Sequence, residues 1–114
     1  MPVRRTIYHE TENKRCLVLD YIERISARKE RAIIREHFLF IENHEQVPEH
    51  LLKRLKGYNN LWEIRIFRHR FIAFYTSPTE LIVIHAFAKP SSKLQRHEIE
   101  VAAKRKAAYY PSTR

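Results

Sequence analysis

Glycine is almost missing from this sequence. Gly57 is the only one in 114 residues, which with just five prolines argues against disorder and low complexity. Cys16 is the single cysteine, which rules out an intramolecular disulfide and a cysteine-built zinc site and leaves packing as its role. No apolar run approaches the ~20 residues that span a bilayer, and the opening MPVRRTIYHE has no signal-peptide core. The expectation is a cytoplasmic protein with no membrane partner. There are seven histidines, but HEQVPEH sets His44 and His50 six apart with Pro48 between them. A helical zinc pair needs a spacing of about four, so neither a metal nor another cofactor is expected.

What the chain does have is positive charge. It carries 22 Lys and Arg against 13 Asp and Glu, a formal +9, which favours an anionic partner: nucleic acid, an acidic protein segment or a membrane face. Residues 89–114 hold seven of the cations and two of the acids, a net +5 and thus more than half of the excess. A basic tail of this kind also serves solubility alone. With 44% hydrophobic residues the chain has the material for one folded domain, burying roughly two thirds of the unfolded surface.

The pattern predicts an α+β domain. RRTIYH (4–9) reads as a first strand. Thr11 or Asn13 can cap a helix with the stripe Leu17, Val18, Tyr21, Ile22 and Ile25, and Ser26 can cap a second with Ala27, Ile34, Phe38 and Ile41. The short link predicts an antiparallel helical hairpin. LLKRLKGYNN reads as a connecting loop with a basic face, carrying Lys53, Arg54 and Lys56. Strands at 61–67, 70–76 and 80–88 form a meander through the turns RH and SPTE. A last helix, from about Lys93 to Tyr110, is capped by a Ser92 and Gln95 box and stopped by Pro111; its narrow apolar side (Ile99, Ala102, Ala103, Tyr110) predicts light packing.

The hairpin LWEIRIFRHRFIAFY holds three arginines. With Arg68 and His69 as the turn, Phe67 pairs with Arg70 and Arg65 with Ile72, so Glu63, Arg65 and Arg70 share one face. Trp62, Ile64, Ile66, Phe71, Ala73 and Tyr75 share the other, which suits a cover of two helices. The last strand contributes to that face either Leu81, Val83, His85 and Phe87 or Ile82, Ile84 and Ala86, since both sets are mostly apolar. The arginines then lie on an open sheet face beside Phe67 and Phe74, where guanidinium forks can hold a phosphodiester and rings can stack on bases. The same charges also suit a solvated face on which Glu63 simply pairs with Arg65. His85, between Ile84 and Ala86, fits a buried structural role as well as proton transfer, and His69 reads as an RNA-side or merely solvated turn residue.

In combination, LLKRLKGYNNLWEIRI, RFIAFY, IVIHAFAKPSSK and EIEVAAKR resemble the RelE-like bacterial toxins, in particular the HigB or phage-derived branch of type II toxin–antitoxin systems. The resemblance covers about residues 47–106, and the first 46 match only in kind. It implies a microbial RNase-type fold, cleavage of mRNA on the ribosome by attack of a 2′-OH without a metal, and a cognate antitoxin, expected to be a helix-turn-helix protein. It further implies catalytic roles for Arg65 and Arg70 and a basic segment after the last strand at Lys89, Lys93 and Arg96; the basic loop residues Lys53, Arg54 and Lys56, with His69, are expected to contact RNA. Ile99 stands where some members carry a tyrosine, which leaves His85 and Lys93 as candidate general bases. Two other readings remain: a non-catalytic RNA- or ribosome-binding module, and a basic accessory protein that docks an acidic partner.

Overall fold

The protein is seen in a computed structural model that describes residues 2–10, 14–89 and 92–112, without the side chains of 92–94 and 111–112. Strand β1 (Arg5–Tyr8) leads to helices α1 (Leu17–Glu23) and α2 (Arg28–Asn43). Strands β2 (Leu52–Arg54), β3 (Trp62–Ile66), β4 (His69–Ser77) and β5 (Glu80–Ala88) follow, and then helix α3 (Ser92–Ser112). The sheet order is β1-β5-β4-β3-β2, with β1 parallel to β5 and all other neighbours antiparallel. This is the expected α+β arrangement with one strand added.

The added strand is β2, which the sequence pattern reads as loop. Leu52, Lys53 and Arg54 pair with Ile64, Glu63 and Trp62, and buried Leu51 and Leu52 anchor the segment to the core. It covers what would otherwise be an open edge of β3. Helix α2 begins after Ala27, not on Ser26, and no side chain caps it. The Ser26 carbonyl instead accepts from Arg31 Nη1 at 3.2 Å. Cys16 occupies the N-cap of α1, and Thr11 and Asn13 lie outside the described residues.

One face of the sheet packs on α1 and α2. Val18, Ile22, Ile34, Phe38 and Ile41 meet Ile64, Ile66, Phe71 and Ala73, with Cys16, Trp62 and Tyr75 at the margin. Phe38 and Phe71 meet edge to face, their ring centroids 5.2 Å apart. The face assignment expected for the β3–β4 hairpin therefore holds, although its register differs. The turn is Phe67-Arg68, and His69 opens β4 opposite Ile66. Moving a turn centre by one residue moves each partner by two, so side chains keep their faces.

The open choice on β5 is resolved by a β-bulge. Ile72 pairs with His85 and Ala73 with Val83, which leaves Ile84 as the extra residue. Leu81, Val83 and Ala86 consequently face the α1/α2 layer, while Ile82, Ile84 and Phe87 join the opposite side.

That opposite side is not open. Helix α3 lies across it, and Ile99 and Ala102 pack with Leu61, Ile72, Phe74, Ile82, Ile84 and Phe87 in a second core. Light packing was expected from the narrow stripe of α3, but small Ala102 lets the helix settle on large sheet side chains. Gln95 does not close a capping box; its amide reaches Glu63. Replacing Ile72, which is fully buried under α3, with Ala should cost about 2–5 kcal/mol in urea denaturation. A loss below about 0.5 kcal/mol would mean that this face is solvated.

Candidate functional site

The β3–β4 register sets Arg65 directly opposite Arg70, on the α3 side of the sheet. Like charges in this position repel, so both guanidinium groups need other partners. Arg65 Nε donates to Glu63 Oε1 at 2.6 Å, and Arg70 Nη1 donates to the carbonyls of Phe67 and His69 at 2.8 and 3.0 Å. Glu63 is fully buried and its second oxygen accepts from Gln95 Nε2 at 2.7 Å. A buried carboxylate is tolerated when both oxygens are engaged. Here it orients one arginine and ties α3 to the site.

Burial lowers the pKa of Arg70 from its usual value; Glu63 opposes the shift and Arg65 reinforces it. A guanidinium starts so high that it stays charged. Arg65 keeps 36% of its side-chain surface exposed, with Nε turned inward to Glu63. The result is a pair of oriented cations at one end of the sheet, able to bind a phosphate from two sides.

The other expected residues divide around this pair. Lys53 lies opposite Glu63 and so on the same face, half-buried, whereas Arg54 pairs with Trp62 and belongs to the other face. Lys56 is exposed beyond the strand, beside a groove lined by Leu55, Gly57 and Tyr58. Arg96 is exposed on α3, 3.6 Å from Glu100, at a cleft between Tyr58 and Ile99. Lys89 is exposed, and its backbone N–H donates to the Arg68 carbonyl at 2.6 Å, which pins the start of the post-strand segment to the hairpin tip. Lys93 falls in the first turn of α3, with its side chain outside the described residues. Tyr109 and Tyr110 pack on Phe74, further along β4 than Arg70.

His85 takes the buried structural role that its apolar strand suggests, whereas His69 does not sit as expected. His69 is not a turn residue on the arginine side but is buried against the helices, bonded to Tyr21 Oη at 2.7 Å and to Glu30. His85 is on the α3 side, where Arg105 Nη1 reaches Nδ1 and Glu98 Oε2 reaches Nε2, each at 2.6 Å. Arginine only donates, so Nδ1 is the acceptor and Nε2–H donates to Glu98. Both ring nitrogens are thereby engaged, and no lone pair is left for a substrate. Sheet parity already puts Glu63 and Arg65 together, whereas the places of Gln95 and Arg105 depend on how α3 crosses the sheet. Among the described residues no three His, Cys, Asp or Glu side chains are grouped as a metal site, and no helix is long and apolar enough to cross a membrane.

The family model of the phage-derived Gp49-like proteins (DUF891) matches residues 20–107, from α1 to near the end of α3, and so takes in the whole arginine site. The chain belongs to this family. Gp49-like proteins are associated with toxin–antitoxin systems. No curated protein matches the chain.

Burial lowers the pKa of His85 below its ordinary 6.5, an effect that Arg105 and His97 reinforce and Glu98 opposes. The unfolded chain then takes up its proton first as pH falls. Stability is complete above the ordinary 6.5 and declines as pH drops through it toward the lowered value. His9, also lowered chiefly by burial, acts in the same direction. His85→Gln, whose amide can still accept from Arg105 and donate to Glu98, should flatten the fall in melting temperature between about pH 7 and about pH 5. An unchanged slope would contradict this assignment.

Proposed function

We propose that this Gp49-like protein is the toxin of a type II toxin–antitoxin pair and cleaves mRNA on the ribosome by a metal-independent reaction. The observation that carries the reading is the opposed Arg65–Arg70 pair, held against mutual repulsion by a buried Glu63 and two backbone carbonyls. A structural ion pair needs one arginine here. Two, oriented on one face, match the charge that builds on a phosphate during transfer.

In this reaction the ribose 2′-OH attacks the adjacent phosphorus and the P–O5′ bond breaks, leaving a 2′,3′-cyclic phosphate and a 5′-OH. The hydroxyl proton passes to a base and the departing O5′ gains one. Arg65 and Arg70 stabilise the pentacoordinate phosphorane, and the nucleophile comes from the substrate, so the chemistry needs no metal. With both nitrogens of His85 engaged, Lys93 is the remaining candidate for proton transfer. Lys89 and Arg96, with Lys53 on the arginine face and Lys56 beyond β2, hold the RNA backbone, and Arg54 adds a contact from the other face of the edge strand. The partners are mRNA, the ribosome and a helix-turn-helix antitoxin.

Arg70→Ala should lower ribosome-dependent cleavage by about 10² to 10³ and abolish growth arrest on induction. Because Arg70 is buried and bonded to two carbonyls, the variant should also lose stability, by about 1–3 kcal/mol, while remaining folded. Arg70→Lys keeps the charge without the planar fork and should restore activity only in part. A fully toxic Arg70→Ala, or a loss explained by unfolding in the melting curve, would refute the role. Ribosome pelleting should weaken steeply with salt, since many phosphate contacts release counterions; a flat dependence would argue against backbone contacts.

A further inference from the structure

The tip of the β3–β4 hairpin carries a feature that phosphate binding leaves unexplained. Phe67 is the first residue of the two-residue turn and has φ +56°, in the left-handed region that bulky side chains avoid. Turns of this length favour Gly, Asn or Asp there. The residue is 57% exposed, and among the described residues no other aromatic ring packs on it. An aromatic residue is thus held in a costly backbone conformation with its ring in water.

The surroundings hold it there. Arg70 Nη1 donates to the Phe67 carbonyl at 2.8 Å, and the Arg68 carbonyl accepts from Lys89 N–H at 2.6 Å. The tip is therefore clamped on both sides by residues of the cationic site. No acidic residue occurs between Glu63 and Glu80, while Arg65, Arg68 and Arg70 all do. With exposed Arg68 next to it in the turn and Arg65 and Arg70 on the adjoining strands, the ring fits a ligand with a flat π-face beside a negative charge, and a nucleotide combines the two within one unit. An apolar protein surface would offer nothing to the charge of Arg68, which is exposed at the same tip.

We propose that Phe67 is a stacking platform for one nucleobase, seated next to the phosphate that Arg65 and Arg70 hold, and that it fixes which nucleotide of the mRNA enters the site. This rests on the RNA-cleaving reading above. The strain is the means of presentation, because it keeps the ring from folding back onto the sheet.

The test uses ribosomes programmed with mRNA bearing 2-aminopurine at each A-site codon position in turn, with 2′-O-methyl groups that block cleavage. Pelleting gives affinity, and quenching of 2-aminopurine reports stacking. Wild type should quench the probe at one position. Phe67→Gly, which suits the positive φ, should melt no lower than wild type, lose that quenching and bind about 5- to 150-fold more weakly. Phe67→Trp should restore both, and Phe67→Leu, an apolar side chain without a π-face, should not. Should Phe67→Gly fail to fold, Phe67→Leu decides the matter by the same readouts. Retained quenching and affinity in the ring-less variants, with binding still lost in Arg70→Ala, would overturn the stacking role and leave the RNA reading standing. Absence of ribosome binding by wild type would overturn both.

Discussion

The buried carboxylate of Glu63 is the constraint around which the site is organised. A charge with no solvent contact must have its oxygens satisfied by the protein, and Glu63 is satisfied from two elements: Arg65 on its own strand and Gln95 on α3. The first contact turns Arg65 so that Nε faces inward. The second fixes the start of α3 over the sheet, which in turn closes the second core around Ile72 and Phe74. Positioning of Arg65 and packing of the C-terminal helix therefore depend on the same carboxylate. Because Arg70 stands opposite Arg65, the same carboxylate also offsets the repulsion between them.

Much of this was legible in the residues because sheet faces follow parity. Glu63, Arg65 and Arg70 fall on one side for any turn whose centre shifts by a whole residue, so the arginine face survived a misplaced turn. The cover of α3 was less legible, although one signal was available. A strand apolar on both sides, as β5 is, is buried on both sides, and that should have outweighed the thin stripe on α3. The bulge at Ile84 has no sequence mark, and it alone places His85 with α3. Strand β2 was hidden by its three-residue length and its lysine and arginine. His69 reads as turn in any local analysis, since its partners Tyr21 and Glu30 come from α1 and α2.

Scarcity of glycine also has a structural consequence. Four described residues adopt positive φ, and only Gly57 among them is glycine; Lys14, Asn60 and Phe67 are the others. Asn60 is compensated by a two-point exchange with the backbone of Tyr75, at 2.7 and 3.1 Å. At Phe67 the compensation comes through Arg70, a residue of the candidate site. A strained position thus lies beside the paired arginines, which is where strain is expected to serve function.

The central claim is that the opposed arginines act on a phosphodiester attacked by its own 2′-OH. The most direct measurement is the chemistry of the RNA ends produced by purified protein on programmed ribosomes. The account predicts 5′-hydroxyl ends and 2′,3′-cyclic phosphates, formed equally well when divalent metals other than the ribosome's magnesium are withheld, and absent when the scissile ribose lacks its 2′-OH. Products with 5′-phosphate ends, or cleavage that persists at a 2′-deoxy position, would contradict it.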